Sequence, residues 1–222
     1  MTCEKYIDRT NNSLSTWLNN VKDDSDYIFV SSISGNKKVG YNTPDDYNNT
    51  PLKWWYFIKN YDFNNFDWIF FIDDDIYCFV NKLQNLVKNY DPNENIAIGE
   101  KLTAKTDMYH FFRSCDLIHY PVDFFAGGGG YVVSNKCISL IKDFVKSHEN
   151  PVWSFHGDVS FGHWMKMVNT ELINKKELFG SQHFSDISFK DDIGYPNPNI
   201  DKITYHYCKE EDMLKLYNEY EV

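Results

Sequence analysis

The sequence predicts an α/β layer fold with a mostly parallel sheet, and three observations carry that prediction. Apolar runs rich in β-branched and aromatic residues recur at Tyr27–Ser31, Trp68–Ile72, Ile96–Gly99, Tyr131–Val133 and Ile203–Tyr207, which is the composition of buried strands. Between them lie stretches whose apolar residues are spaced by three and four, the period of an amphipathic helix. The two kinds of segment alternate along all 222 residues, the order of an α/β layer fold. That length suits a single domain over residues 1–222, with no internal repeat and no low-complexity linker.

Each element has its own signal. Leu14, Trp17, Leu18 and Val21 stand at i, i+3, i+4 and i+7, so Asn12 to Val21 reads as a helix. Gly35 to Thr50 is rich in Asn, Asp and Gly and reads as a loop. Thr50 as N-cap and Pro51 at the first helical position open a helix that runs to Asn60. Asn81 to Lys88 is a further helix, ended by Asp91-Pro92. Ser134 caps a helix with Ile138, Ile141 and Val145 on one face. Val159 to Val168 is helical after Gly157-Asp158, and Glu210 to Tyr220 closes the chain.

Composition removes several function classes. The net charge is −10, from 22 Lys and Arg against 32 Asp and Glu. An acidic chain without a basic stripe is no nucleic-acid binder, because phosphates need neutralising cations. Cys3, Cys78, Cys115, Cys137 and Cys208 are scattered, and no Cys-x-x-Cys pair marks a zinc site. A disulfide between two of them is not demanded. No signal peptide and no apolar run long enough to span a bilayer is present. Aromatics reach 18%, enough for some rings to line a groove and stack on sugars or bases.

Chemistry concentrates at Asp73-Asp74-Asp75, directly after the Trp68–Ile72 strand. Three ionised carboxylates cannot be buried unpaired. A divalent cation at the strand's mouth solves this, since Mg²⁺ or Mn²⁺ takes carboxylate oxygens and leaves positions for substrate phosphates. The competing reading is a solvated acidic turn. The apolar residues on both sides restrict that turn and favour the metal. Gly127-Gly128-Gly129-Gly130 signals a tight turn or a close approach of backbone to another group. It precedes a strand, so it is no dinucleotide loop. Asp158 at a helix start is either an N-cap or a general base for an attacking hydroxyl. His206 in a strand and His183 in a loop are packed histidines or metal ligands.

These motifs fall in an order that resembles the Fringe-like inverting β1,3-glycosyltransferases, especially the core-1 β1,3-galactosyltransferase branch. Ser15-Thr16-Trp17 resembles that family's Thr-Trp, and Asp46 to Lys53 its Asp-x-Tyr-x-Asn-Leu-Thr-x-Lys segment. Ile72 to Tyr77 resembles its strand and Asp-Asp-Asp-x-Tyr, and Ala126 to Ser134 its glycine run and Tyr-Val-x-Ser. Gly157 to Gly162 resembles its (Glu/Asp)-Asp-Val-x-x-Gly, with Gly157 in place of the acidic residue. Tyr205-His206-Tyr207 resembles its Phe-His-Tyr strand.

The resemblance implies a GT-A fold, a UDP-sugar donor, Mn²⁺ (or Mg²⁺) and an acceptor hydroxyl on a glycan, a glycoprotein or another molecule. It implies Asp75 and His206 as metal ligands, with His183 as the alternative histidine and Asp73 in support. It implies Asp73, Asp74, Thr2 and Lys53 around the donor, and Asp158 as catalytic base. The glycines Gly127 to Gly130 would admit acceptor or donor close to the backbone. The family's first strand should precede Thr2-Cys3-Glu4-Lys5 and is almost absent here. Without an anchor the expected location is the cytoplasm, a host's if the source is viral, or the Golgi lumen for a piece of an anchored protein. Two other classes compete: a non-catalytic nucleotide-sugar or glycan-binding module that kept the fold, and a metal-dependent phosphatase or nucleotidyltransferase. The latter lacks a phosphate-binding lysine motif after the Asp triplet.

Overall fold

The computed structural model describes residues 1–21, 25–104, 121–149, 154, 156–181 and 202–221. In chain order the strands are β1 (Phe29–Ser31), β2 (Lys38–Gly40), β3 (Trp68–Phe71), β4 (Tyr77–Cys78), β5 (Ile96–Gly99), β6 (Lys101–Ala104), β7 (Val122–Phe125), β8 (Tyr131–Ser134), β9 (Glu171–Asn174) and β10 (Thr204–Tyr205). The helices are α1 (Ile7–Ser15), α2 (Thr50–Asn60), α3 (Val80–Val87), α4 (Asn135–Lys146), α5 (Gly157–Met167) and α6 (Glu210–Tyr220).

A four-stranded sheet in the order β3-β8-β5-β9 forms the centre. β8 runs antiparallel to both β3 and β5, and only β5 and β9 are parallel. The α/β class holds, and the expectation of a mostly parallel sheet is corrected to a mixed one. The physical reason is the route of the chain. β8 returns from the antiparallel β6–β7 pair through the glycine turn, and therefore runs against β5. Pleating divides the sheet's side chains between two cores. Ala97, Tyr131 and Val133 pack with Trp54, Phe57, Ile138, Ile141, Phe161 and Trp164 from α2, α4 and α5. Ile98 and Val132 face the other way, toward Trp17, Leu18, Met213 and Leu216. This is the layered arrangement of a GT-A-type fold, with helices on both faces.

Several boundaries match the sequence and several move. Ile96–Gly99 and Glu210–Tyr220 lie where expected, and Ser134 caps α4 by accepting a 3.0 Å bond from the Cys137 N–H. The first helix lies earlier than predicted. It breaks at Thr16, and Trp17–Asn20 forms a 3-10 turn. The Thr16 hydroxyl donates to Asn12 O at 2.6 Å and Ser13 to Arg9 O at 3.2 Å, side-chain bonds that compete with helix continuation. Thr50 is the first residue of α2 and Asn49 takes the cap position. The loop after Gly35 contains β2, which pairs parallel to β1.

β1 and β2 form a separate pair, and β3 meets β8 on one side only. A cavity of about 610 Å³ lies along β1 and β3, lined among others by Tyr27, Phe29, Trp68, Phe70, Leu83 and Val87. The Thr2 N–H donates to Val30 O at 3.0 Å and the Met1 amino group to Ile72 O at 2.5 Å. The first two residues thus bridge one end of this gap. No helix among the described residues is long and apolar enough to cross a membrane.

Candidate active site

The acidic turn is clamped between two strands. β3 ends at Phe71, and β4 pairs antiparallel with β10 through Tyr77↔Tyr205 and Cys78↔Thr204. Asp74 and Asp75 are buried in this turn and Asp73 is partly so. Burial, opposed by the Met1 amino group and reinforced by the charges of Asp75 and Asp74, pushes the Asp73 carboxyl up to about 6. Burial also raises Asp74. Its Oδ2 has no hydrogen-bond partner. The Thr2 hydroxyl favours the ionised form of Asp74, although its own long bond, at 3.4 Å, goes to Cys3 O.

Asp75 behaves differently because each oxygen faces a group that favours its ionised form. Oδ1 lies 3.5 Å from His206 Nε2, and Oδ2 accepts from Arg9 Nη1 at 3.0 Å. Burial pushes Asp75 up, but the His206 contact and the Arg9 charge outweigh it, and the carboxyl lies below its usual range. For His206 burial lowers the pKa, and the Asp75 interaction overrides it to give a net rise.

His206 arrives on β10's continuation. β10 stops at Tyr205, and Tyr207 takes a left-handed backbone with φ 54°, rare for a bulky residue. The strand expected to reach Tyr207 therefore ends early, and the half-exposed Tyr207 ring lies on the His206 imidazole with centroids 3.5 Å apart. His206 Nδ1 meets Ser181 O at 2.9 Å. A carbonyl only accepts, so Nδ1 carries the proton, and Nε2 keeps its lone pair in the neutral ring. Fixing one nitrogen by a second partner is how a ligating histidine is oriented.

The glycine run explains how the base candidate joins this pair. A Cβ on Gly128 would stand 2.2 Å from His206 Nδ1, so the backbone approach needed here serves the protein's own histidine. The preceding residue, Gly127, donates its N–H to Asp158 Oδ2 at 3.1 Å. Asp158 and His206 are therefore held against consecutive residues, whose Cα atoms are about 3.8 Å apart. Gly130 has φ 70° and leads into β8. Asp158 lies in the first turn of α5, and its Oδ1 accepts from Val159 N at 2.8 Å. Burial raises its pKa above the carboxylate range, and the two backbone N–H bonds only partly oppose this. The buried Tyr131 phenol is pushed far upward by burial, then by the charges of Asp158 and Asp73. Both carboxylates thus bear on one side chain.

The remaining predicted residues fall as follows. Lys53 is buried at 2% exposure, bound to Asp45 at 2.7 Å and to Thr2 O at 3.4 Å. It ties α2 to the segment beside Asp74 and does not face an open cleft. His183 lies outside the described residues, as does Cys115; Cys3, Cys78, Cys137 and Cys208 are free thiols. Among the described residues no group of three or more His, Cys, Asp or Glu side chains is arranged to hold a metal. The pair Asp75–His206 still fits one. It offers a carboxylate oxygen and an imidazole nitrogen, a set suited to Mn²⁺ when substrate oxygens complete the shell, and the partnerless Asp74 Oδ2 lies next to it in the chain. Arg9, Ser181 and the strained Tyr207 escaped sequence reasoning. An arginine inside an amphipathic helix and a serine in a loop carry no periodic signal.

The sequence model of the Galactosyltransferase family matches residues 38–176. The chain belongs to the galactosyltransferase family. The matched segment takes in the acidic turn, the glycine run and Asp158 of this glycosyltransferase. Arg9 and His206 stand outside it and join the site only through the fold.

Proposed function

We propose that this glycosyltransferase moves a hexose from a UDP-sugar to an acceptor hydroxyl with inversion, in a Fringe-like, β1,3-forming reaction that depends on Mn²⁺ or Mg²⁺. One observation carries the reading: Asp158 and His206 pack on the consecutive glycines Gly127 and Gly128, while His206 reaches Asp75 on its far side. A base candidate and a metal-ligand pair thus share one rigid unit.

Asp75 and His206 would hold the cation, which when bound supplies Lewis-acid neutralisation of the donor's diphosphate. Ser181 O fixes the imidazole so that Nε2 faces Asp75. Asp74 and Asp73 add negative charge at the cation's side. Asp158 accepts the proton of the acceptor hydroxyl as that oxygen attacks the anomeric carbon, and its raised pKa makes it a stronger base than an ordinary carboxylate. Attack from the face opposite the departing UDP gives inversion. A hydroxyl acceptor on a glycan or glycoprotein fits this chemistry.

The test is a UDP-release assay over a panel of UDP-sugars with Mn²⁺, with and without simple sugar acceptors. Release that rises with acceptor and disappears with EDTA supports the reading. UDP binding without any transfer, across donors and acceptors, would favour the non-catalytic binding module.

A further inference from the structure

Arg9 has no place in the scheme above, yet it occupies the acidic turn. Its Nη1 reaches Asp75 Oδ2 at 3.0 Å and Asp74 Oδ1 at 3.4 Å. It extends from α1 across a stretch of chain the family match does not cover. Its Cζ lies 4.1 Å over the Tyr6 ring, so stacking holds the guanidinium plane from the other side. The side chain is 39% exposed. Its contacts with the two carboxylates both use Nη1, one of the several N–H donors of the fork.

We propose that Arg9 is a displaceable counter-cation that becomes a diphosphate clamp. The inference rests on the UDP-sugar reading. A divalent cation on Asp75 Oδ1, the side facing His206, would stand on the same carboxylate as the guanidinium on Oδ2, and the two positive charges repel. Arg9 therefore competes with the metal for the turn in the unloaded protein. Once released it remains stacked on Tyr6, one side-chain length from the carboxylates beside which the donor's phosphates must lie. A planar fork of N–H donors matches phosphate oxygens in a bidentate way that a lysine cannot reproduce. Metal and donor would thus bind with positive coupling: the metal frees the arginine, and the arginine holds the diphosphate.

The experiment compares wild type, Arg9→Met and Arg9→Lys by calorimetric titration with Mn²⁺ alone, then with UDP at saturating Mn²⁺. Thermal melts confirm that each variant is folded. Arg9→Met should bind Mn²⁺ alone about 3- to 10-fold more tightly and UDP about 10-fold more weakly. Arg9→Lys keeps the counter-charge but not the fork. It should bind Mn²⁺ alone like wild type and still lose UDP affinity. Weaker Mn²⁺ binding by Arg9→Met would show that the arginine merely supports the turn, and would overturn the proposal. So would UDP binding equal to wild type in both variants. Absence of UDP binding by the wild type itself overturns the UDP-sugar reading and the clamp with it. Undiminished binding in the variants overturns the clamp alone.

Discussion

Replacing Gly128 by alanine tests whether the glycine run exists for His206. The new Cβ would stand 2.2 Å from Nδ1, 2.3 Å from Cε1 and 2.9 Å from Cγ of His206. Carbon contacts need about 3.5 Å, so the ring must retreat by more than about 1 Å. It cannot do so without losing the 2.9 Å contact to Ser181 O and opening the 3.5 Å contact to Asp75. A lost hydrogen bond costs about 1 kcal/mol and forced overpacking about 1–3 kcal/mol. The expected destabilisation is therefore about 2–4 kcal/mol, read from urea unfolding. On the proposed role of His206 as a metal ligand, displacement of its ring by about 1 Å should lower turnover about 100-fold, read as UDP release at saturating donor. In a His206→Ala background the same glycine change should cost little stability, since the obstructing ring is gone. A Gly128→Ala protein with wild-type stability and turnover would refute the reasoning, and so would an equal cost in the two backgrounds.

Further expectations concern the base, a buried histidine, the buried lysine and the metal. Asp158→Asn should bind UDP normally and lose transfer by at least about 100-fold; full turnover would remove Asp158 as base. Because Asp158 is raised by burial, the wild-type rate should fall as pH drops through a value above the ordinary carboxylate range. His163 is held down to about 4 by burial and then by Lys166, so the unfolded chain takes up its proton first. Stability linked to His163 is complete above about pH 6.5 and is lost as pH falls toward 4, by about 3 kcal/mol in all; urea unfolding of His163→Gln should lack that slope. Lys53→Met removes the 2.7 Å partner of the part-exposed Asp45 and should destabilise by about 1–3 kcal/mol, below the full cost of breaking a buried pair. EDTA should abolish turnover, and full-strength UDP binding without metal would refute the Asp75–His206 site.

The elements that read correctly are those whose own residues dictate them. Glu210–Tyr220 carries Glu210, Glu211 and Asp212 in its first turn and buries Met213 and Leu216 from one stripe. Ser134 combines a β-region backbone with a hydroxyl that reaches the third residue on. The elements missed depend on partners. β9 has half-exposed residues without strict alternation and is a strand because β5 offers it a parallel edge. β6 and β7 lie side by side only because the chain turns back. The first helix was misplaced because apolar spacing does not register hydroxyls bonding back to Asn12 and Arg9.

The site divides along the same line. Local sequence was enough to mark Asp73, Asp74 and Asp75 as a place that calls for positive charge, since burying adjacent carboxylates after an apolar strand is costly without it. Local sequence also marked the glycines as a place of close approach. Which group approaches was decided by tertiary structure: His206 lies 78 residues after Gly128 in the chain and meets it where β10 reaches the glycine run, the Thr204 hydroxyl donating to Gly129 O at 2.7 Å. The opposite pKa directions of Asp73 and Asp75 were likewise set in three dimensions. Neighbouring aspartates have the same chemistry, and only the placement of Arg9 and His206 against one of them separates the two.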